Sequence, residues 1–378
     1  MIKPAIVVIA YNRDASLRRL LKSLNDANYD SDDVMLVISI DKSEDTKVPA
    51  VASAFDWKHG EKRVILREER MGLKNHVLVC GDLVSEYGHI IVLEDDLFVS
   101  KDFYSYTCAA LLHSEKDARI AGISLYNHQL NVHVREPFEA IDDGFDNYYM
   151  QFAQSWGQAY SKEQWQGFKS WYESNSSKPV EADNVPLNVS SWSDKSWLKY
   201  YIKYIIEEDK YFIYPRVSYT TNFGDEGTHA KGSVSDLQVS LASKKSRDFC
   251  FSNLDDSDAV YDAFFENNRL EKVLLKLLNI EKERITIDLY GYKNDQKKGY
   301  VVSSKALPYK VVKSFGRMLR PIDANIINDI EGNDFFVFDT KVAASLPNIN
   351  KATRVLYNYK ALNVNKMIDV IKHRLLNK

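Results

Sequence analysis

The stretch His89-Ile90-Ile91-Val92-Leu93-Glu94-Asp95-Asp96 decides the fold of this chain. Four consecutive apolar residues without alternation are typical of a strand that is buried on both faces of a parallel sheet. Three carboxylates follow at once, where that strand ends. Because ligands of open α/β sheets bind beyond the carboxyl ends of the strands, we expect these carboxylates at the ligand-binding edge.

The same pattern extends over the first third of the chain. Short apolar runs predict strands at residues 6–10, 34–40, 63–66 and 89–93, and apolar residues at helical spacing predict helices at 16–24 and 72–87. This alternation is typical of βαβ units that form a parallel sheet. The fold class is therefore predicted to be α/β.

The three carboxylates suggest a metal site. A hard divalent ion such as Mg²⁺ or Mn²⁺ takes oxygen ligands, commonly one or two protein carboxylates together with diphosphate oxygens. The plainer interpretation is a solvated acidic turn after a strand. Arg13 and Asp41 end the first and second predicted strands, where they suit a phosphate and a ribose or base. Taken singly, Arg13 would be interpreted as a surface residue and Asp41 as a turn residue. Charged residues at the ends of three predicted strands together favour a nucleotide site.

Further short motifs follow in a fixed order. They are 7–13 (VVIAYNR), 37–41 (VISID), 92–97 (VLEDDL), 102–103 (DF), 155–157 (SWG), 192–194 (WSD) and 215–224 (PRVSYTTNFG). In order and spacing, the first 240 residues resemble N-acetylglucosaminyltransferase I and its bacterial relatives. The resemblance implies a GT-A fold, a Rossmann-like nucleotide-sugar-binding domain, and inverting glycosyl transfer.

The resemblance also implies roles for the matched positions. The donor nucleotide-sugar would be bound by Arg13, Asp41, Glu94, Asp95 and Trp156, with Asp96 as the metal ligand for Mn²⁺ or Mg²⁺. Lys74 is a further donor-binding candidate, with a solvated surface lysine as the alternative. The implied donor is a UDP-sugar carrying GlcNAc, and the implied acceptor is a glycan or lipid-linked sugar of a bacterial capsule, O-antigen or similar surface polysaccharide.

Inverting transfer needs a carboxylate that accepts the proton of the attacking hydroxyl. Asp194 is the candidate, because the family places its base directly beside a Trp here. In this chain Ser193 separates Trp192 from Asp194, and capping of a helix at 196–207 is the alternative. The glycine-rich stretch 222–232 can close over the donor and bring His229 to the diphosphate, or it is an ordinary surface loop.

Composition bounds the remaining possibilities. The 378 residues carry a net charge of −3, which gives no reason to expect nucleic acid as a partner. Three widely spaced cysteines without a CxxC pair favour a reducing cytoplasm. No apolar run reaches the 18 residues of a membrane span. We therefore expect a cytoplasmic enzyme that can lie against the inner face of the membrane.

Domain boundaries follow from changes in pattern. Residues 1–250 are predicted to form the GT-A domain, with 1–120 as the nucleotide-sugar half and 121–250 as the acceptor half. Residues 251–278 are predicted to be a helical connector, with a helix at 260–278. Residues 279–378 are predicted to be a small α+β accessory domain that starts with a strand at 284–289 and ends in a helix at 364–376.

The basic and apolar segment 305–320 contains no acidic residue. Such a segment suits an anionic membrane surface, and the plainer interpretation is a helix that packs its apolar side on the domain with its basic side in solvent.

Two other functions remain open. A sugar-1-phosphate nucleotidyltransferase also uses an α/β nucleotide site, but it normally has a glycine-rich loop near the first strand, and residues 10–15 contain no glycine. A non-enzymatic carbohydrate-binding protein would suit the Trp- and Tyr-rich middle of the chain. Release of nucleotide from a sugar donor distinguishes an enzyme from a binding protein.

Overall fold

The structure is a computed structural model. It describes residues 2–180, 184–225, 237–243, 248–280, 284–293, 299–349, 351–359, 363, 365, 367–368, 371–372 and 375. The chain divides into two compact units, the first built from Met1–His133 and Asp142–Phe265, the second from Val134–Ile141 and Glu266–Lys378. The boundary predicted near residue 279 therefore falls inside the second unit.

The strands of the described residues, numbered in chain order, are β1 (Ala5–Ala10), β2 (Leu36–Ile40), β3 (Lys62–Leu66), β4 (His89–Glu94), β5 (Leu97–Val99), β6 (Ile120–Ser124), β7 (Leu130–Asn131), β8 (Glu136–Pro137), β9 (Asn147–Met150), β10 (Gln158–Ser161), β11 (Tyr211–Pro215), β12 (Thr220–Asn222), β13 (Val260–Tyr261), β14 (Ile285–Asp288), β15 (Tyr300–Ser303), β16 (Tyr309–Phe315) and β17 (Phe335–Ala343).

The helices of the same residues are α1 (Asp14–Asn25), α2 (Lys47–Ala54), α3 (Gly72–Gly81), α4 (Val84–Tyr87), α5 (Phe103–Ser114), α6 (Lys162–Asn175), α7 (Leu187–Ser190), α8 (Trp197–Glu207), α9 (Leu270–Leu278), α10 (Asp323–Ile327) and α11 (Lys351–Asn358).

A mixed sheet forms the centre of the first unit. Its strand order within the described residues is β13-β9-β11-β6-β10-β4-β1-β2-β3. Strand β1 runs parallel to β2 and β4, and β2 runs parallel to β3, whereas β10 is antiparallel to both β4 and β6. The carboxyl ends of β1, β2, β4 and β6 therefore meet at one edge. The predicted α/β fold class is confirmed.

The complete burial of the first strands explains why they could be predicted from the sequence. All residues of β1 and β2 are buried, as continuous apolar runs require. Helix α1 packs its predicted leucines, at positions 17, 20, 21 and 24, fully into the core. The four predicted strands are all present, with ends that differ by no more than two residues.

Two predicted helices differ from the structure. Residues 72–87 form two helices, α3 and α4, instead of one. The helix predicted at 260–278 is wrong in its first half, because Val260 and Tyr261 form β13 and the helix begins at Leu270. Phe265 has φ +67°, a left-handed conformation that an α-helix does not contain, and apolar spacing alone does not reveal it.

The second unit contains a four-stranded sheet in the order β14-β15-β17-β16, accompanied by α9, α10 and α11. Segment 305–320 includes β16, an edge strand of that sheet, so its centre is not a helix. Most of the predicted helix 364–376 lies outside the described residues. Among the helices that the structure describes, none is long and apolar enough to cross a membrane.

Candidate functional site

The acidic cluster lies at the carboxyl edge of the central sheet. Glu94 is the last residue of β4 and pairs in register with Ile9 of β1. Asp95 and Asp96 form the short turn between β4 and β5. Asp95 is only 2% exposed, and the Asp96 side chain is 14% exposed. This cluster is therefore held by the sheet and shielded from bulk water.

Arg13 neutralises part of this charge. It immediately precedes α1, and its guanidinium donates to Oδ2 of Asp96 at 2.9 Å and to Oδ1 of Asp95. Burial acts to lower the pKa of Arg13, but the two carboxylates raise it overall. The structure thus brings together three of the predicted residues as a partly buried ion cluster.

Protonation differs within the cluster. Burial, joined by the charges of Asp96 and Asp95, raises the pKa of Glu94 to about 8, although Arg13 and the Ser155 hydroxyl act against the rise. Burial likewise raises the pKa of Asp95 to about 6, with Arg13 opposing. Glu94 is therefore harder to ionise than an ordinary glutamate, because burial and two neighbouring carboxylates disfavour its charge.

Trp156 lies beside this cluster. In the antiparallel pairing of β10 with β4, Gln158 faces Val92, so the same register brings the residues before β10 to the end of β4. The ring centroids of Trp156 and Tyr126 lie 4.8 Å apart. The backbone carbonyl of Trp156 accepts a hydrogen bond from the Thr220 hydroxyl at 2.5 Å. Gly157 has φ +98°, and a Cβ there would come within 2.7 Å of Thr220, so glycine permits this turn.

Asp41 serves as a remote cap for α3. Its carboxylate is 4% exposed and accepts from three backbone N–H groups, those of Lys42 at 2.9 Å, Met71 at 2.8 Å and Gly72 at 3.0 Å. An ionised carboxylate has about four acceptor positions, so room is left for one ligand hydroxyl. The turn function that was the alternative for Asp41 is part of its structural role.

Two residues near Asp41 have no role in the sequence-based prediction. The Arg70 guanidinium stacks on the Tyr11 ring at 3.9 Å, and its Nε lies 3.7 Å from Oδ2 of Asp41. Both side chains flank the ends of β1 and α3. Tyr11 lies within the motif 7–13, and Arg70 directly precedes the helix predicted at 72–87; these positions are the signal that could have identified them.

Lys74 and Asp194 contact each other. The Lys74 ammonium donates to the Asp194 carbonyl at 2.9 Å. The Asp194 side chain is 83% exposed, and its carboxylate accepts from Lys199 at 2.9 Å, which lowers the pKa of Asp194. Ser196 caps α8 through its hydroxyl, so Asp194 is not the cap. Within the described part of the chain, no hydrogen bond or ion pair joins Lys74 or the Asp194 side chain to the acidic cluster.

The segment after β12 returns to the acidic cluster. β12 pairs with β5, and the Phe223 N–H donates to the Asp96 carbonyl at 3.1 Å. Asp225 accepts from the Ser16 hydroxyl at 2.6 Å and pairs with Arg19, whose guanidinium lies 3.8 Å from the centre of the Phe223 ring. No motif pointed to this contact between residues 223–225 and α1. The predicted donor contact His229 lies outside the described residues.

The carboxylates suit a metal that is only partly held by protein. Among the described residues, no three His, Cys, Asp or Glu side chains are grouped so that they could hold an ion by themselves. One or two carboxylates with diphosphate oxygens are the usual arrangement for Mg²⁺. Asp95 and Asp96 already accept a positive group, the Arg13 guanidinium, between them. This donor set fits a hard divalent ion that arrives with its nucleotide.

A known protein family is similar to the first part of the chain. Residues 5–163 match the family described as Glycosyl transferase family 2. The matched segment contains Arg13, Asp41, the acidic cluster and Trp156. This match supports the predicted GT-A fold class for residues 5–163, and the finer likeness to N-acetylglucosaminyltransferase I stays a prediction. None of the curated proteins matches the sequence.

Solved structures show weaker likenesses. Residues 1–349 of Staphylococcus aureus TarS in complex with UDP-GlcNAc share 12% identity, with 60% of each chain covered and a TM-score of 0.40. The mannosyltransferase PcManGT from Pyrobaculum calidifontis, in complex with GDP-Man and Mn²⁺, shares 11% identity over 45% of this chain and 47% of that chain, with a TM-score of 0.31.

Proposed function

We propose that this chain is an inverting, divalent-metal-dependent glycosyltransferase that moves a sugar from a nucleotide donor to an acceptor hydroxyl. The observation that carries the proposal is the cluster of Arg13 with Asp95 and Asp96 at the carboxyl edge of a family 2 domain. That edge is where ligands of open α/β sheets bind. The cluster combines a phosphate-binding cation with metal-binding oxygens.

The proposed donor is UDP-GlcNAc, and the proposed acceptor is a glycan or lipid-linked sugar of a surface polysaccharide. Both follow from the resemblance to N-acetylglucosaminyltransferase I. Contact of segment 305–320 with the inner face of the membrane belongs to the same proposal. It is supported by Met318, which is 76% exposed, and by the exposed Val312 and Lys310 in the edge strand.

The residues at the sheet edge would bind and orient the donor. A metal ion on Asp96 would supply Lewis-acid stabilisation of the departing diphosphate. Arg13 would neutralise phosphate charge, and Asp41 would accept a hydrogen bond from a ribose hydroxyl. Glu94 would contact the donor sugar, and Trp156 would form one wall of the sugar pocket.

Transfer itself needs one base. The acceptor oxygen forms a bond to the anomeric carbon while the bond from that carbon to the diphosphate oxygen breaks on the opposite face. Asp194 takes the proton of the acceptor hydroxyl in this proposal. No covalent sugar–enzyme intermediate is formed, so the product has the inverted configuration.

A donor screen tests the function. The purified chain, with Mn²⁺ or Mg²⁺, is incubated with the common nucleotide sugars and the released nucleotide is measured. We expect release from a UDP-sugar, strongest with UDP-GlcNAc, and loss of metal-dependent UDP binding in Asp96→Ala. Asp33→Ala, at a side chain 81% exposed and remote from the cluster in sequence, is the control. Absence of release from every donor, with or without candidate acceptors, would overturn the proposal.

A further inference from the structure

We propose that Arg13 acts as an internal counter-cation that competes with the divalent metal for Asp96. The proposal rests on the proposed function, because the metal belongs to that function. Arg13 places its two terminal nitrogens on different carboxylates, Nη1 at 2.9 Å from Asp96 and Nη2 on Asp95. The guanidinium thus occupies one of the two carboxylate oxygens that Asp96 would offer to a metal.

Burial explains why a counter-cation is needed in the free protein. Asp95 is 2% exposed and Glu94 adjoins it, so the turn holds carboxylates that water does not fully solvate. Isolated buried carboxylates are costly unless they are paired. Within the described residues, Arg13 is the only cation with a hydrogen bond or ion pair to Asp95 or Asp96.

The guanidinium and a metal ion disfavour each other at this place. Two positive groups that share one carboxylate repel strongly at such short range in a poorly solvated environment. Binding of the metal to Asp96 must therefore weaken the Arg13–Asp96 pair, and the pair must weaken metal binding to the same extent. The diphosphate of the donor relieves this conflict, because it offers Arg13 a new anionic partner.

Asp225 provides a second anion near the displaced guanidinium. Its carboxylate is fixed by Ser16 and Arg19, and the charge of Arg13 is among the influences that lower its pKa, although burial acts in the opposite direction. The Asp225 carboxylate therefore acts electrostatically on the same guanidinium that pairs with Asp95 and Asp96. Arg13 is a positioning residue that couples metal binding to donor binding.

Metal binding without nucleotide tests the proposal. Free Mn²⁺ is measured by electron paramagnetic resonance while the metal alone is titrated into the full chain. We expect Arg13→Met to bind Mn²⁺ at least tenfold more tightly than the unmodified chain, and Arg13→Lys, which keeps the charge but loses the two-pronged contact, to fall between them. Equal or weaker binding by Arg13→Met would overturn the proposal.

A matched control separates the specific contact from general charge. Arg19→Met removes the same charge within α1, the helix that directly follows Arg13, but Arg19 pairs with Asp225 and not with Asp96. We expect its Mn²⁺ affinity to change less than twofold, and a gain equal to that of Arg13→Met would contradict the proposal. In the double variant Arg13→Met with Asp96→Asn, the gain should disappear, and its persistence would place the metal elsewhere.

The coupling gives a second readout. With UDP present, the Mn²⁺ affinities of the unmodified chain and Arg13→Met should converge, because the diphosphate removes Arg13 from Asp96. If donor release fails while Arg13→Met binds Mn²⁺ more tightly, the proposed function fails and the competition stands. If donor release succeeds without a gain in Arg13→Met, the competition alone is wrong.

Discussion

The surroundings of Asp194 set the pH range in which this residue can act as a base. Its side chain is 83% exposed, and a hydrogen bond from Lys199 lowers its pKa below the ordinary 3.8. A base must be deprotonated to accept a proton, so Asp194 is ready throughout the neutral range. A low pKa also makes it a weaker proton acceptor, and approach of the acceptor would have to offset the Lys199 contact.

Substitution of Asp194 tests its role. In Asp194→Ala we expect UDP binding to stay unchanged and transfer to fall by about 10²-fold or more, the usual contribution of a general base. In Lys199→Met the pKa of Asp194 rises, so the acid limb of the kcat/KM profile should move to higher pH. Glu173→Ala, an exposed carboxylate on α6, is the control. Transfer that survives in Asp194→Ala excludes it as the base.

His128 is a buried histidine without a described hydrogen bond from its ring. It is 1% exposed, and neither ring nitrogen has a partner among the described residues. Aromatic rings surround it, with Trp156 at 5.9 Å and Phe152 at 5.7 Å. Burial, joined by the charge of His133, lowers the pKa of His128 to about 3. The ring is therefore neutral in the folded protein at all ordinary pH values.

Acid should destabilise the protein partly through this residue. The unfolded chain binds a proton at His128 below about pH 6.5, but the folded chain does so only near pH 3, so stability is lost as pH falls through that window. His128→Phe should reduce the loss between pH 7 and pH 5 by about 2 kcal/mol. Urea unfolding of the unmodified chain and of His128→Phe at pH 7 and pH 5 measures this difference in the free energy of unfolding. An unchanged pH dependence would show that His128 does not contribute.

At the scale of elements, helix α3 depends on a residue from another strand end. Its first turn has no side-chain cap of its own, and the N–H groups of Met71 and Gly72 donate to Asp41 after β2. Unpaired N–H groups at a helix start are costly when buried, and a carboxylate there also suits the helix dipole. Asp41 therefore joins the end of β2 to the start of α3 at the carboxyl edge of the central sheet.

Removal of this cap should cost stability and binding together. For Asp41→Ala we expect a loss of about 2 kcal/mol in the free energy of unfolding, with weaker UDP binding. Asp45→Ala is the matched comparison, since Asp45 caps the start of α2 by accepting from Lys47 N–H at 2.7 Å. It should lower stability less and leave UDP binding intact. Equal UDP binding in both variants would remove Asp41 from the site.

At the scale of the whole molecule, chain order and compact units do not coincide. Residues 134–141 belong with the C-terminal part of the chain. Glu136 there accepts from Arg354 at 2.5 Å, a contact 218 residues apart in sequence. Arg354 also donates to the carbonyl of Tyr290 at 2.8 Å. Secondary-structure prediction from the sequence cannot detect that residues 134–141 pack with the C-terminal part of the chain.

This organisation predicts that the first unit cannot be excised cleanly. A chain ended after Phe265 leaves 134–141 without Arg354 and the sheet of its own unit. We expect its first thermal transition to lie several degrees below that of the full chain, with greater aggregation. In the full chain, Arg354→Met should cost about 1–3 kcal/mol, because Glu136 is left partly buried and unpaired. A truncated chain that unfolds like the full one would contradict the expectation.

Much of the site could be predicted because its residues follow strands that the sequence marks clearly. Glu94, Asp95 and Asp96 come directly after a continuous apolar run, and Arg13 and Asp41 follow two others. Apolar continuity and helical spacing are local properties, and parallel strands necessarily bring their carboxyl ends to one edge. The sequence by itself therefore determined the α/β fold and the set of charged residues at the ligand edge.

The tertiary structure alone decided how those residues are paired. The contacts of Arg13 with both aspartates, of Asp41 with α3, and of Asp225 with α1 span 31 to 209 residues of sequence. The division of the chain into units and the strand at 260–261 were likewise invisible. These features depend on which residues come into contact in the folded chain and on how burial changes the free energy of charged groups. Local sequence patterns contain information on neither.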